Sequence, residues 1–335
     1  CELPQLARDI TAALAGNGPT LGFGEVGSES GPSQAAVVIG TSGTTGVPKE
    51  IFLSSHALLS SARASNAFIG AKPGDTWSLL LPLTHVAAVN VFIRAFELGT
   101  IPVDLRNHSG EYPRVNFTAI VPTQLFRALN GDDYLLQHLQ GAQRVLVGGA
   151  ALSSSIRNQA TAAGINVVTT YGMSETSGGC VYNGEVLEGV EVEVRGGSIF
   201  IRGSVLALNL ELSDGWFATN DLGEFVDEKL VVIGRSDDVI ISGGENLSLN
   251  NVESILNESF PAIQCAAFSV EDPQWGESLH IAVVGDVDAT KITSLLESKI
   301  GVFAKPKGIH SVNSLPLLGI GKVNRKRLAQ EIANE

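Results

Sequence analysis

The sequence predicts an α/β protein of two domains. The large N-terminal domain is expected to hold mixed and parallel sheets layered with helices, and the C-terminal domain to be small, mobile and α+β. Two observations predict this class. Short apolar, β-branched runs alternate with segments of helical period along most of the chain, which is typical of strands joined by helices. The length of 335 residues also favours two domains over one.

Composition and charge exclude several classes of protein. Hydrophobic residues make up 44% of the chain and charged residues 17%, which fits a well-packed globular protein. A net charge of −13 disfavours nucleic acid and anionic membranes as partners. No apolar run approaches the roughly 18 residues of a membrane span, and residues 1–30 lack a signal-peptide pattern, so a cytoplasmic protein is expected. The cysteines, Cys1, Cys180 and Cys265, are too widely spaced to indicate a disulfide framework or a zinc site.

The first elements lead to a phosphate-binding loop. A helix is predicted over residues 3–14, and the G-x-G-x-x-G of Gly22–Gly27 is interpreted as a loop because no apolar strand precedes it. The apolar run Ala35–Ile39 predicts a buried strand, which ends abruptly in a loop rich in Gly, Ser and Thr and closed by Lys49. Glycines allow backbone N–H groups to approach oxyanions, hydroxyls donate further hydrogen bonds, and the lysine adds positive charge.

A predicted helix follows this loop, and after it comes an apolar stretch that contains polar residues. Ser54 or Ser55 can cap a helix that runs through Phe68. The next apolar stretch is LPLTHVAAVNVFIRAF, in which His85 leaves a probable strand. Asn90 and Arg94 come four residues apart and share one helical face. A guanidinium in such an apolar stretch either reaches water, pairs structurally or meets an anion, because burying it alone is costly.

Further strands end in glycine-rich or polar turns. Strands are predicted at Thr118–Val121 and Arg144–Val147, and active groups are expected at the strand ends. The stretch VVTTYGMSETSGG, Val167–Gly179, exposes a glutamate in a turn, and one or two carboxylates suffice for Mg²⁺ bound to phosphates. Short alternating strands come next, followed by SDGWFATNDLGEF, which contains Asn220; asparagine is the non-glycine residue that best tolerates a left-handed backbone.

These motifs resemble those of the adenylate-forming superfamily of acyl-CoA synthetases, luciferases and peptide-synthetase adenylation domains. The loop from Thr41 to Lys49 matches T-S-G-T-T-G-x-P-K, with Glu50 where the family usually has glycine. The ordered series continues with YGMSET, with GWFATND, with GRSDDVIISGGE and with GIGKVNR, and spans Ala35 to Leu328. The resemblance also implies a reduced N-terminal subdomain, since only residues 1–40 precede the loop.

The resemblance implies a role for each matched residue. Lys322, Lys49 and His85 are expected to be catalytic, and Glu175 to bind Mg²⁺. The expected nucleotide-binding residues are Thr41, Ser42, Gly43, Thr44, Thr45, Gly46, Lys49, Gly148, Gly149, Ala150, Tyr171, Gly172, Met173, Ser174, Thr176, Asp221 and Arg235.

The same resemblance divides the chain at a hinge. Asp237 is the expected hinge residue, which gives an N-terminal adenylation core over residues 1–236 and a C-terminal lid over residues 237–335. Gly243 and Gly244 belong to the loop expected to face the active site when coenzyme A reacts.

The implied reaction is the ATP- and Mg²⁺-dependent ligation of a carboxylic acid to coenzyme A through an acyl-adenylate. The expected acid-binding residues are His85, Asn90, Arg94 and Ser177. Their spacing, together with YGMSETSGGCVYNG, is similar to the o-succinylbenzoate-activating subfamily of menaquinone biosynthesis, in its compact actinobacterial form. A ligase for another aromatic or medium-chain acid, and a nucleotide-binding member without turnover, remain as alternatives. The sequence leaves the oligomeric state open.

Overall fold

A computed structural model of the protein describes residues 3–41, 49–242, 244–260, 263–272, 276–317 and 323–333, with the backbone alone at residues 237 and 333. In these residues the fold is mixed α/β, with a large N-terminal and a smaller C-terminal domain. The buried apolar clusters of the N-terminal part end at Leu230, and those of the C-terminal part begin at Ile240. The predicted boundary at Asp237 lies between them, in the 3-10 turn Ser236–Asp238.

The first sheet frames the predicted phosphate loop. It follows the helix α1 (Leu3–Leu14) and consists of β1 (Leu21–Phe23), β2 (Ala35–Thr41) and β3 (Lys49–Ser54). The β2 strand pairs in parallel with β1 and antiparallel with β3. It is buried from Ala35 to Gly40, as its apolar run predicts. The two ends of the loop are therefore anchored on a buried strand and on its direct neighbour.

The second sheet carries most of the predicted strand-end residues. Its strands are β4 (Trp77–Leu79), β5 (Val103–Asp104), β6 (Phe117–Ile120), β7 (Arg144–Val147), β8 (Val167–Met173), β9 (Gly178–Tyr182) and β10 (Glu185–Val186). In the described residues the strand order is β10-β9-β8-β7-β6-β4-β5. The pairs from β5 to β8 are parallel, whereas β9 and β10 are added antiparallel.

Helices alternate with these strands, which confirms the predicted α/β pattern. They are α2 (Ser55–Ile69), α3 (Val86–Glu97), α4 (Pro122–Leu129), α5 (Asp133–Gly141) and α6 (Ser154–Ala162). Ser54 caps α2, since its hydroxyl accepts a hydrogen bond from the Ala57 N–H. The helix ends at Gly70, whose left-handed backbone (φ 72°) suits glycine.

The remaining sheets are antiparallel or mixed. The N-terminal domain closes with an antiparallel sheet of β11 (Val190–Arg195), β12 (Ser198–Gly203), β13 (Phe217–Val226) and β14 (Lys229–Arg235), in that order. The C-terminal domain contains β15 (Val239–Ser242), β16 (Glu245–Ser248), β17 (Gln264–Asp272), β18 (Gly276–Val284) and β19 (Gly308–Ser311). Its helices are α7 (Leu249–Ser259), α8 (Ala289–Lys299) and α9 (Arg325–Ala333).

One local prediction, at Gly22, was wrong. Asn220 lies within the extended strand β13, so the tolerance of asparagine for a left-handed backbone is not used there; the left-handed non-glycine residue nearby is Asp214, with φ 51°. Gly22 was expected in a loop, yet it lies in β1, because pairing with the buried β2 supplies backbone hydrogen bonds that local propensity does not show. None of the helices in the described ranges has the length and apolar character needed to cross a membrane.

Candidate active site

One short segment, Tyr171–Gly178, contacts each part of the predicted site. It comprises the end of β8, the 3-10 turn Ser174–Thr176 and the start of β9. The chain reverses here through Ser177 (φ 53°) and Gly178 (φ 107°), both in the left-handed region. A Cβ on Gly178 would lie 2.0 Å from the Asn90 amide nitrogen, so this position requires glycine.

The segment contacts the end of the phosphate loop through Glu175. The Lys49 Nζ lies 3.4 Å from a Glu175 carboxylate oxygen. The loop base is closed by Thr41, whose hydroxyl donates to the Lys49 carbonyl at 3.0 Å. The lysine side chain is 54% exposed, and an ion pair of this length and exposure is weak. Both charged groups are therefore available to an incoming ligand. Ser42, Gly43, Thr44, Thr45 and Gly46 lie outside the described residues.

The residues expected to hold the ribose are joined to the same segment through Tyr171. The Tyr171 hydroxyl donates to one Asp221 carboxylate oxygen at 2.8 Å, and the other lies 3.4 Å from the Arg235 guanidinium. Burial and the neighbouring Asp221 charge raise the pKa of the Tyr171 hydroxyl, which therefore stays protonated as a donor. Asp221 is 7% exposed. Its buried negative charge is compensated, because the Tyr171 hydroxyl and the Arg235 guanidinium both face it.

Glycines at the ends of β7 and β8 lie in close contact with neighbouring groups. A Cβ on Gly148, directly after β7, would lie 2.1 Å from the Thr170 hydroxyl oxygen. A Cβ on Gly172 would lie 2.0 Å from the Gly178 carbonyl oxygen. Gly149 has φ 85°, and Ala150 after it is exposed. These glycines keep the strand ends free of side chains at the edge where a flat nucleotide base is expected.

The Thr176 hydroxyl is engaged within the turn itself. It lies 3.0 Å from the Met173 N–H and 2.7 Å from the Gly178 carbonyl oxygen, and the residue is fully buried. In this geometry the Thr176 hydroxyl is bonded to backbone groups of the turn. Met173 and Ser174 are partly exposed on the same turn.

The expected acid-binding residues lie on α3 and contact the other end of the segment. His85 is the residue before the first turn of α3, and Asn90 and Arg94 are buried within the helix. The Asn90 amide donates to the Ser177 carbonyl at 2.7 Å. The Ser177 hydroxyl donates to the Val205 carbonyl at 2.8 Å, so Ser177 is fixed on both sides. Burial lowers the pKa of His85, which favours a neutral imidazole.

Arg94 is buried without a carboxylate partner in the described part of the chain. It is 4% exposed, donates to the Tyr182 hydroxyl at 2.9 Å, and lies 5.3 Å from the centre of the Trp77 ring. Its Nε has no hydrogen-bond partner. The Tyr182 hydroxyl is further bonded to the Ser65 hydroxyl at 2.8 Å. Sequence reasoning assigned no role to Tyr182, although it lies within YGMSETSGGCVYNG, or to Trp77, which belongs to no motif.

In the described residues, buried polar side-chain atoms without hydrogen-bond partners are concentrated on and around α3. Among the described residues, such side-chain atoms belong to α2, β4, α3 and the residue before α3: Asn66 Oδ1, Trp77 Nε1, His85 Nε2, Asn90 Oδ1 and Arg94 Nε. Native interiors leave few buried polar groups unpaired. Three of the five belong to residues that the sequence assigns to the acid substrate. This end of the site is therefore suited to a polar ligand.

The unusual acid after the phosphate loop is held by the backbone of a neighbouring turn. Glu50 accepts hydrogen bonds from the Gly27 and Ser28 N–H groups at 2.7 and 2.9 Å. Hydrogen bonds from the Ser28 side chain, then from the Ser28 and Gly27 backbone, lower the pKa of Glu50. Its negative charge is thereby held by the turn that packs against Gly40 at the base of the loop.

The residues of the chain fit a magnesium ion bound together with ATP. The described residues contain no group of three His, Cys, Asp or Glu side chains placed to hold a metal by themselves. Mg²⁺ in nucleotide sites takes one or two carboxylates and completes its shell with phosphate oxygens and water. Glu175 supplies one such carboxylate beside Lys49.

The predicted hinge and lid residues are only partly described. Asp237 is within the 3-10 turn between β14 and β15. Gly244 has φ 88°, and a Cβ there would meet open space, so only its backbone requires glycine. Gly243 and Lys322 lie outside the described residues. The neighbouring Asp238 pairs with Arg325 at 3.0 Å, a contact that the motifs did not reveal.

The fold and the site define a nucleotide-dependent enzyme that activates an acid, and the comparisons agree. Residues 8–202 match the family model described as AMP-binding enzyme, and residues 251–322 match that of the AMP-binding enzyme C-terminal domain. The chain belongs to the AMP-binding enzyme family.

Individual relatives are more specific. The chain is 38% identical over 330 residues to a probable 2-succinylbenzoate–CoA ligase of Mycobacterium tuberculosis, covering 90% of this chain and 85% of that protein. It is 28% identical to the 2-succinylbenzoate–CoA ligase of Lactococcus lactis, covering 88% and 70%. Among solved structures, the Bacillus subtilis o-succinylbenzoate CoA synthetase in complex with the acyl-adenylate intermediate OSB-AMP superposes with a TM-score of 0.75 at 26% identity, covering 88% and 69%.

Proposed function

We propose that this protein is an AMP-forming ligase that converts o-succinylbenzoate (2-succinylbenzoate), ATP and coenzyme A to o-succinylbenzoyl-CoA, AMP and pyrophosphate in menaquinone biosynthesis. The observation that carries the proposal is the segment Tyr171–Gly178. Within eight residues it contacts the lysine of the phosphate loop, the acid expected at the ribose and the helix that bears Arg94. The names of the similar proteins support the same reaction.

In the first step, the substrate carboxylate attacks the α-phosphate of ATP and pyrophosphate leaves. Little covalent chemistry falls to the protein, whose role is to align the nucleophile and neutralise negative charge. Lys49 and Lys322 would supply positive charge, and Asp221 with Arg235 would hold the ribose. Mg²⁺, held by Glu175, would neutralise charge on the phosphates.

In the second step, the thiol sulfur of coenzyme A attacks the acyl carbonyl and AMP leaves. The family resemblance implies that the C-terminal domain rotates about Asp237 between the steps. Lys322 would leave the site, and the Gly243–Gly244 loop would replace it. A short turn between two strands can absorb the required change of backbone angles.

The acid is held at the α3 end of the pocket. One carboxylate of o-succinylbenzoate must reach the α-phosphate, which leaves the aromatic carboxylate for a cation at the opposite end. Arg94 is the buried cation there, with an unpartnered Nε and no carboxylate of the described chain beside it. An arginine can hold a carboxylate through two parallel hydrogen bonds.

The test is a substrate panel with the purified protein, ATP, Mg²⁺ and coenzyme A. Pyrophosphate and AMP release are measured with o-succinylbenzoate, with its analogue lacking the aromatic carboxylate, and with benzoate and medium-chain acids. We expect the highest kcat/KM with o-succinylbenzoate. Preference for a monocarboxylate would overturn the substrate, and absence of AMP with every acid would indicate a binding protein.

A further inference from the structure

Arg325, at the start of α9, connects four elements of the C-terminal domain. Its Nη1 donates to Asp238 at 3.0 Å in the hinge turn, and its Nη2 donates to Asn250 and Glu253 of α7 at 2.9 and 3.0 Å. Its Nε donates to the Ala267 carbonyl of β17 at 2.8 Å. The side chain is 16% exposed. One guanidinium thus holds the hinge turn, a helix and a strand together.

The partners of Arg325 are themselves fixed. The Asn250 amide donates to the second Asp238 oxygen at 3.1 Å, and the Ala267 N–H donates to Glu253 at 2.9 Å. Burial raises the pKa of Glu253, while the charge of Arg325 opposes that effect. Since every member of the network has more than one bond, the network allows Arg325 a single position.

The same arginine lies shortly after the expected adenylation lysine in the sequence. Residues 318–322 are outside the described ranges, but the residues on both sides of them are described. Leu317 and Val323 form an antiparallel bridge, and the Asn324 N–H donates to the Pro316 carbonyl at 2.8 Å. Arg325 follows two residues after Val323 and starts α9. Its hydrogen bonds therefore fix the chain three residues beyond Lys322 to the hinge turn.

We infer that Arg325 is a positioning residue for adenylation, which joins the chain that carries Lys322 to Asp238 in the hinge turn so that rotation about Asp237 delivers the lysine in register. The inference rests on the proposed function. Arg325 itself need touch neither substrate, because its donors are directed at protein groups. The nearby Arg327 provides a matched comparison, since among the described residues its guanidinium pairs with Glu331 one turn along the exposed face of α9.

The two half-reactions separate this role from simple stabilisation. Adenylation is measured as pyrophosphate release from o-succinylbenzoate and ATP, and thioester formation as acyl-CoA production from supplied acyl-adenylate and coenzyme A. In Arg325→Lys the positive charge remains between the two carboxylates, but the fork of hydrogen bonds is lost. We expect adenylation to fall on the order of tenfold to a hundredfold, as for other misplaced catalytic groups, with thioester formation nearly unchanged. Arg327→Lys should leave both rates at the wild-type level.

A second variant isolates the hinge contact. Asp238→Asn removes the charge of one carboxylate and leaves Arg325 paired with Glu253. We therefore expect this variant to fold even if Arg325→Lys does not. The same selective loss of adenylation is expected. Equal losses in both half-reactions, or unchanged adenylation, would overturn the inference. Lys322→Ala in the same assays tests the proposed function separately: retained adenylation in that variant would refute the role of the lysine, whatever Arg325 does.

Discussion

Two arginines with little exposure to solvent have opposite surroundings. Arg325 in the C-terminal domain has two carboxylates, an amide oxygen and a backbone carbonyl as partners. Arg94 in the N-terminal domain contacts one hydroxyl and an aromatic ring, and its Nε has no partner among the described residues. A buried charge is normally compensated by its own protein. Partners within the chain indicate a structural or positioning role for Arg325, whereas for Arg94 our proposal is that the counter-ion arrives with the ligand.

The largest expected difference between the two arginines is in stability. Arg325→Met leaves Asp238 and Glu253 without their cation, and breaking such a buried pair costs about 3 to 5 kcal/mol of unfolding free energy. Arg94→Met leaves no carboxylate of the described chain unpaired and removes one hydrogen bond to a hydroxyl, so a loss of about 1 kcal/mol of unfolding free energy or less is expected. Urea unfolding of both variants measures the difference. Equal losses would show that Arg94 is structural.

The order should reverse in catalysis. Arg94→Met should lower kcat/KM for o-succinylbenzoate by about 2 to 5 kcal/mol, because the aromatic carboxylate would be buried without a partner. The analogue without that carboxylate should lose little further on the same substitution. Steady-state kinetics of wild type and variant with both acids provide the comparison. A similar loss with both acids would contradict a carboxylate contact.

A smaller effect is expected at the phosphate end. Glu175→Gln should raise the magnesium requirement and slow adenylation by about 2 to 4 kcal/mol, as removal of one electrostatic stabiliser does. Glu50→Gln is the matched control, since the Glu50 carboxylate is held by the Gly27 and Ser28 N–H groups. Magnesium titrations of pyrophosphate release distinguish the two. If Glu175→Gln keeps the wild-type magnesium dependence, the carboxylate is only a turn residue.

The smallest expected effect concerns protonation of a partnered histidine. Burial lowers the pKa of His138, whose ring nitrogens contact the Ser78 hydroxyl at 3.0 Å and the Pro113 carbonyl at 3.1 Å. As the pH falls below about 6.5, the pKa of histidine in an unfolded chain, the unfolded chain therefore binds more protons at this residue than the folded chain does. The free energy of unfolding should fall as the pH drops through this value. His138→Gln should flatten that dependence in denaturant titrations, and an unchanged dependence in this variant would contradict the assignment to His138.

The sequence was sufficient for the class of fold and for the family. Apolar periodicity and β-branched runs reflect the local chemistry of neighbouring residues, so the strands at Ala35–Thr41 and Arg144–Val147 and the Ser54 cap could be predicted. Motif spacing placed Tyr171 and Glu175 in one segment. Gly22 was wrongly expected in a loop, because its strand depends on pairing with β2 and not on its own propensity.

The partners of buried charges could not be predicted. Tyr182 is 88 residues from Arg94, and Asp238 is 87 residues from Arg325. Such contacts depend on how distant elements pack, for which a single sequence contains no periodic signal. The same holds for the Asn90 amide, whose nitrogen donates to a backbone carbonyl 87 residues away.

The contact between Arg94 and Trp77 also allows ligand binding to be followed by tryptophan fluorescence. The guanidinium lies 5.3 Å from the centre of the Trp77 ring, so an anion that binds Arg94 changes the electric field at the indole. Indole emission responds to such fields, and the native protein therefore contains its own fluorescent reporter of acid binding. Trp216 lies between Arg195 of β11 and Arg202 of β12, at 4.9 and 4.6 Å, and adds a background signal. With Trp216 and Trp275 replaced by phenylalanine, a ligand titration could be followed without a label or a coupled assay.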